Sequence, residues 1–128
     1  MNANERESLN ALFEAVVGAA YEVSNTLGAG FLEKVYERAL AKELALRGIP
    51  ARPQVPYQVS YKGHVIGEYL ADLVVDDRLL VELKCVNALA KEHLAQCLNY
   101  LRASNLSLAL LINFQHSKIV WLRVVDGF

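Results

Sequence analysis

Residues 69–84 constrain the fold more tightly than any other part of this chain. Two apolar runs flank the polar triplet Asp76-Asp77-Arg78, the pattern of one strand folding back on the next. Three charged residues interrupt those runs: Asp72 in the first, Glu82 and Lys84 in the second. Side chains alternate along a strand, so Glu82 and Lys84 share a face. Asp72 joins them in one register only. A three-residue turn over 76–78 pairs Val75 with Leu79 and sets Asp72 opposite Glu82. A two-residue turn sets it opposite Val81, on the other face. We expect the three-residue turn.

Two carboxylates about 5 Å apart repel by roughly 3 kcal/mol at an effective dielectric of about 20. A chain needing only a stable sheet has no reason to place them in its most apolar strands. A divalent cation removes the repulsion, because hard cations such as magnesium prefer oxygen ligands. A lysine two residues on could then hold, or help deprotonate, a water on that cation. Spacing alone is a loose signal, and it also describes a solvated strand face whose charges pair with each other.

The 128 residues suit one domain, 1–128, with a real core, and a hydrophobic share of 54% argues against disorder. A net charge of −1 excludes a broadly basic nucleic-acid binder. If three acids face a cation, the balance becomes 13 bases against 11 acids, which is compatible with a local basic rim. Cys85 and Cys97 have neither CxxC spacing nor a His partner, so zinc is not expected; they read as buried thiols in a reducing compartment. The first residues lack the basic and apolar segments of a signal peptide, and the longest apolar stretch, 106–114, is too short to span a bilayer. A cytoplasmic protein without a membrane partner is expected.

Apolar residues at steps of three and four from Leu9 to Leu27 predict an amphipathic helix over 5–27, ended by Gly28-Ala29-Gly30. No strand precedes those glycines, so they do not read as a phosphate-binding loop. A second helix is predicted over 31–47, burying Leu32, Val35, Tyr36, Ala39, Leu40 and Leu44, with Gly48 just past its end and Pro50 beyond. Gly30, Glu33 and Tyr36 would lie along one ridge of it. An acid near a helix N-terminus is also favoured by the helix dipole alone. The alternation of Val55, Tyr57, Val59 and Tyr61 predicts a strand, turning at Lys62-Gly63 into a longer one over 64–75. The strand from Leu79 to Cys85 is apolar on both faces apart from Glu82 and Lys84, and so is expected at the centre of the sheet. A third helix over 88–103 would pack Leu89, Leu94, Cys97, Leu98 and Leu101, leaving Gln96 and Tyr100 on one edge. That edge also reads as plain surface. Strands over 106–114 and 118–125 close the chain, and Trp121 and the phenylalanines read as packing.

This order, with an acid on an early helix, Asp72, Glu82-Leu83-Lys84, then Gln96 and Tyr100, resembles the PD-(D/E)XK nuclease superfamily. Gly30-Phe-Leu-Glu33-Lys-Val-Tyr36 is similar to the motif of its small GxxExxY proteins, and Gln96-x-x-x-Tyr100 to the QxxxY element of its recombination-type exonucleases. Ala71 stands where the superfamily's name has Pro. The resemblance implies an α/β fold with a restriction-endonuclease-like core, helices flanking a five-stranded mixed sheet. It implies Asp72, Glu82 and the Leu83 carbonyl as ligands of Mg2+ or Mn2+, with Glu33 reaching the metal directly or through water. Lys84 would orient the attacking water and stabilise the pentavalent phosphate, while Gln96 and Tyr100 would hold Lys84 or a substrate phosphate. The implied activity is metal-dependent hydrolysis of DNA or RNA. The competing readings are a catalytically inactive module binding nucleic acid or a protein, and a structural domain. Lys34, Arg38, Arg52, Lys62 and Lys91 are the candidate phosphate contacts, and a homodimer or partner protein could gather them into one track.

Overall fold

The computed structural model describes residues 1–126. Its elements are α1 (Ala3–Leu27), α2 (Glu33–Leu46), β1 (Ala51–Tyr61), β2 (His64–Val75), β3 (Leu79–Lys84), α3 (Lys91–Ser104), β4 (Leu108–Asn113) and β5 (Val120–Val125). The five strands form one sheet in sequence order. All neighbours are antiparallel except β3 and β4, which are parallel because α3 carries the chain back across the sheet between them. β3 is therefore the middle strand. Its residues Leu79–Leu83 are all buried, with one core on each face. On one face Leu73, Val75, Leu79, Val81 and Leu83 pack against Leu9, Phe13, Val16 and Ala20 of α1 and Tyr36, Leu40 and Leu44 of α2. On the other, Ala71, Val74, Leu80, Ala109 and Leu111 pack against Cys97 and Leu101 of α3.

The turn at 76–78 has the expected length. Val75 pairs with Leu79, Val74 with Leu80 and Leu73 with Val81. Asp76 and Asp77 both adopt left-handed φ, 52° and 56°, which acidic and amide side chains tolerate better than most. Lys62 and Gly63, also left-handed, make the β1–β2 turn. Gly28, at φ 73°, closes α1 by donating its N–H to the Ser24 carbonyl.

Several local expectations are corrected. The second helix begins at Glu33, so Gly30, at φ 106°, lies in the approach loop and not on a helical ridge with Glu33 and Tyr36. Phe31, Leu32 and Val35 are exposed because they precede or flank the first turn, where α2 has not yet met the sheet. α3 starts at Lys91, three residues later than expected, once the Ala90 N–H has found Nδ1 of His93. Leu94, in its first turn, is consequently exposed too. Cys97 is buried as expected, but Cys85 is only half-buried, at the end of β3. Among the described residues, no helix is long and apolar enough to cross a membrane.

Candidate active site

Asp72 sits where both of its strand's ladders break. β2 pairs with β1 at Leu73 and Ala71, and with β3 at Leu73–Val81, but Asp72 takes part in neither ladder. Its register neighbour on β1, Gln54, has left-handed φ, 52°, a costly conformation for a residue with a long side chain. At this break the sheet changes sides. Leu73 belongs to the core under α1 and α2, while Ala71, two residues away, belongs to the core under α3. Unbroken alternation would have kept them on one face.

The consequence for Asp72 is a position between the two faces. Its Oδ2 accepts a 2.8 Å hydrogen bond from the Leu83 N–H, taking the place of a ladder bond. On the α2 side it lines a cavity of about 220 Å³ with Glu33, Lys34, Glu37 and Leu83. On the α3 side it meets Glu82 through both its carboxyl and its backbone N–H. The expected placement of Asp72 with Glu82 is therefore found, although strict alternation along β2 is not what produces it.

Glu82 is buried on the α3 side, and its Oε1 has no hydrogen-bond partner. Burial, and next the neighbouring Asp72, push its carboxyl up to about 9. Burial also raises Asp72, while the Leu83 N–H and the hydrogen bond with Glu82 hold it down. Burial therefore makes both carboxyls harder to ionise than free acids. Lys84 follows two residues on, half-buried, and its charge is felt by Glu33, Asp72 and Glu82.

Glu33 is the first residue of α2, on the far side of the cavity from β3. It is solvent-accessible, yet desolvation and then Asp72 raise its carboxyl above the usual range, against the pull of Lys84. Tyr36 holds the approach loop that presents it. The buried ring stacks on Phe114 at 4.8 Å, and the hydroxyl donates to the Gly28 carbonyl at 2.6 Å while accepting from the Phe31 N–H at 3.3 Å. Gly30, Glu33 and Tyr36 thus act as a bent loop, a presented acid and a clamp.

Tyr100 lies beside the acids on the α3 side, raised by burial and then by Glu82 and Asp72. Its ring stacks on Tyr69 at 3.8 Å, and Tyr69 stacks on Tyr57 at 5.5 Å. The Tyr69 hydroxyl donates to the Tyr100 carbonyl, fixing the helix to the hairpin. Gln96 is exposed and hydrogen-bonds Tyr100. Of the cations expected to contact phosphate, Lys34 is paired with Glu37 at 2.7 Å and Arg52 with Asp77 at 2.7 Å.

Glu37 was not singled out from the sequence. It is buried one turn beyond Glu33, held by Lys34 and by the amide of Gln54. The spacing of four from Glu33 is the signal that places both acids on one side of α2. Its charge raises both Glu33 and Asp72.

Among the described residues, no three His, Cys, Asp or Glu side chains converge closely enough to form a ready metal cluster. The donor chemistry nevertheless fits a hard cation. Two carboxylates touch, and Oε1 of one of them is desolvated without a partner. Comparison with protein families gives a match to the PD-(D/E)XK nuclease superfamily over residues 10–124. No curated protein and no solved structure matches the chain.

Proposed function

The chain belongs to the PD-(D/E)XK nuclease superfamily, and from that premise we propose that it is a metal-dependent nuclease hydrolysing phosphodiester bonds in DNA or RNA. Within the superfamily we read it as a GxxExxY-type protein, on Gly30, Glu33 and Tyr36. The observation that carries the proposal is the buried Asp72–Glu82 pair, with an orphaned Glu82 oxygen and Lys84 two residues on. Burying two carboxylates in contact is costly; without metal a proton offsets the charge, and a divalent cation would take its place.

Asp72, Glu82 and the Leu83 carbonyl would hold Mg2+ or Mn2+, with Glu33 reaching it across the cavity. A bound divalent cation supplies polarisation of the phosphoryl oxygen and a water acidified toward neutral pH. Lys84 orients the attacking water and places its ammonium against the charge that builds on the phosphate. Gln96 and Tyr100 form the α3 edge of the site and steady Lys84 or a neighbouring phosphate. Asp72 is itself steadied by the Leu83 N–H, so its carboxylate need not reorganise as the reaction proceeds.

Two measurements test the reading. Mg2+ or Mn2+ should raise the melting temperature of the wild type and leave Asp72→Asn unmoved, since a ligand at about a hundred times its Kd adds about 2.7 kcal/mol to the state that binds it. No shift in either protein removes the metal site. With Mn2+ and single- and double-stranded DNA and RNA, the wild type should cleave at least one substrate, and Lys84→Ala should lose at least about 100-fold in rate. Metal binding without any cleavage would point to the inactive binding module instead.

A further inference from the structure

The sheet has two edges, and they are built differently. The β1 edge carries Pro53 and Pro56, the left-handed Gln54 and a register shift at Val59/Ser60. Each of these blocks or bends a strand against further pairing. The β5 edge has none of them. Its six residues pair with β4 in unbroken register, contain neither Pro nor Gly, and carry a single charge, Arg123. Val120, Leu122 and Val125 are 49%, 39% and 43% exposed. An unguarded, apolar edge strand is a template for another strand.

The sequence around that edge states which one. Residues 118–126 read Lys-Ile-Val-Trp-Leu-Arg-Val-Val-Asp, with β5 over Val120–Val125 and Lys118 and Asp126 in the bends at its two ends, and reversal about Leu122 gives complementary partners. Lys118 meets Asp126, Ile119 meets Val125, Val120 meets Val124, Trp121 meets Arg123, and Leu122 meets itself. Shifting the centre to Arg123 would set two arginines opposite each other, which is unfavourable. The Trp121–Arg123 step is prepared within one copy. Phe13 lies under both, its ring 5.6 Å from Trp121 and 5.0 Å from the Arg123 guanidinium, which Asn10 holds at 2.6 Å, so Trp121 of the second copy would pack beside a guanidinium already fixed in place.

We propose that the protein forms a two-fold dimer in which β5 pairs antiparallel with β5 of a second copy, centred on Leu122, continuing the sheet to ten strands. The isologous patch is self-complementary in charge and apolar character, as a two-fold contact requires. Register then relates the two acid pairs. Glu82 is level with Leu111, and Leu111 with Leu122, so Glu82 of each copy lies in the row through the axis. Five strand spacings put the two about 24 Å apart.

Sedimentation over a range of concentrations tests the dimer, and it does so without reference to metal or cleavage. The wild type should associate to a dimer, and Leu122→Lys, which sets two ammonium groups face to face, should weaken association at least about 100-fold while melting as a folded monomer. Lys118→Glu should weaken it less, and adding Asp126→Lys to the same chain should restore it. For register, Leu122→Cys should form an intermolecular disulfide under mild oxidation, whereas Val120→Cys, opposite Val124 of the second copy, should remain at the wild-type level. A wild type that stays monomeric at the highest concentration, or a Leu122→Lys that still dimerises, overturns the proposal. Cross-linking at 120 in place of 122 overturns the register.

Discussion

The Asp72 carboxylate accepts a 2.8 Å hydrogen bond from the Leu83 N–H at the point where the β2–β3 ladder has already ended at Leu73–Val81. One acidic side chain thus does what a strand would otherwise do for its neighbour. The two strands are free to separate beyond it, and the acids stand in the gap.

That substitution makes two Asp72 variants behave differently in the absence of metal. Asp72→Asn keeps an oxygen to accept the Leu83 N–H and should lie within about 1 kcal/mol of the wild type. Asp72→Ala leaves the N–H without its partner and should lose about 1–3 kcal/mol in urea unfolding. Equal stability of the two variants would show that the bond contributes nothing to folding.

Glu82 should impose a pH dependence on the metal-free protein. Its folded carboxyl is raised to about 9 against an ordinary value near 4.5. Between those values the unfolded chain has lost a proton that the folded chain retains. Stability from this group is therefore full below about pH 4.5 and falls as pH rises toward 9, by up to about 1.4 kcal/mol per unit. Glu82→Gln should flatten that limb and be more stable than the wild type at pH 8, while losing the response to Mn2+. A wild type whose metal-free stability is level from pH 5 to 9 contradicts a raised Glu82 carboxyl.

Tyr36→Phe should separate the clamp from the core. The ring keeps its stack on Phe114, so the loss should be only about 0.5–1.5 kcal/mol, for the hydrogen bond to Gly28. Amide exchange should quicken over residues 28–32 and stay unchanged in β3. Cleavage should fall more than stability does, because Glu33 is presented by the loop that loosens.

Glu37→Gln tests the acid that pattern reading passed over. An amide oxygen can still accept from Lys34, but Gln54 must then turn its own amide over to accept instead of donate, and the Lys34 charge loses its counter-ion. A loss of about 1–3 kcal/mol in thermal or urea unfolding is expected, with melting that depends less on salt than in the wild type. Unchanged stability would mean that the Lys34–Glu37 charge pair contributes nothing to folding.

Much of the frame could be read from residues alone. The triplet at 76–78 set the β2–β3 register, because one residue more or less would have turned Val75 and Leu79 away from the core. The apolar character of 79–83 on both faces, Glu82 apart, put β3 in the middle. What could not be read has a common physical origin, the interruption of periodicity. The change of face at Gln54 and Asp72 depends on a left-handed residue that is not glycine, and nothing in its type announces that. Leu32 and Leu94 continue helical patterns beyond the point where helix and sheet meet, so periodicity assigns them to a core they do not reach. Glu37 sits among Lys34 and Arg38 in a segment that looks like a solvated face, and the Gln54 amide that meets it comes from β1, far off in sequence.

The three stacked rings of Tyr57, Tyr69 and Tyr100 couple parts of the chain that are distant in sequence. They form a strut between the β1–β2 arm and α3, stiffened by the hydroxyl of Tyr69 on the Tyr100 carbonyl. The helix end of the strut carries Tyr100, whose hydroxyl lies beside Glu82 and Asp72. The tyrosine nearest the acids is thereby braced by a hairpin whose far tip, at Lys62, stands open to solvent.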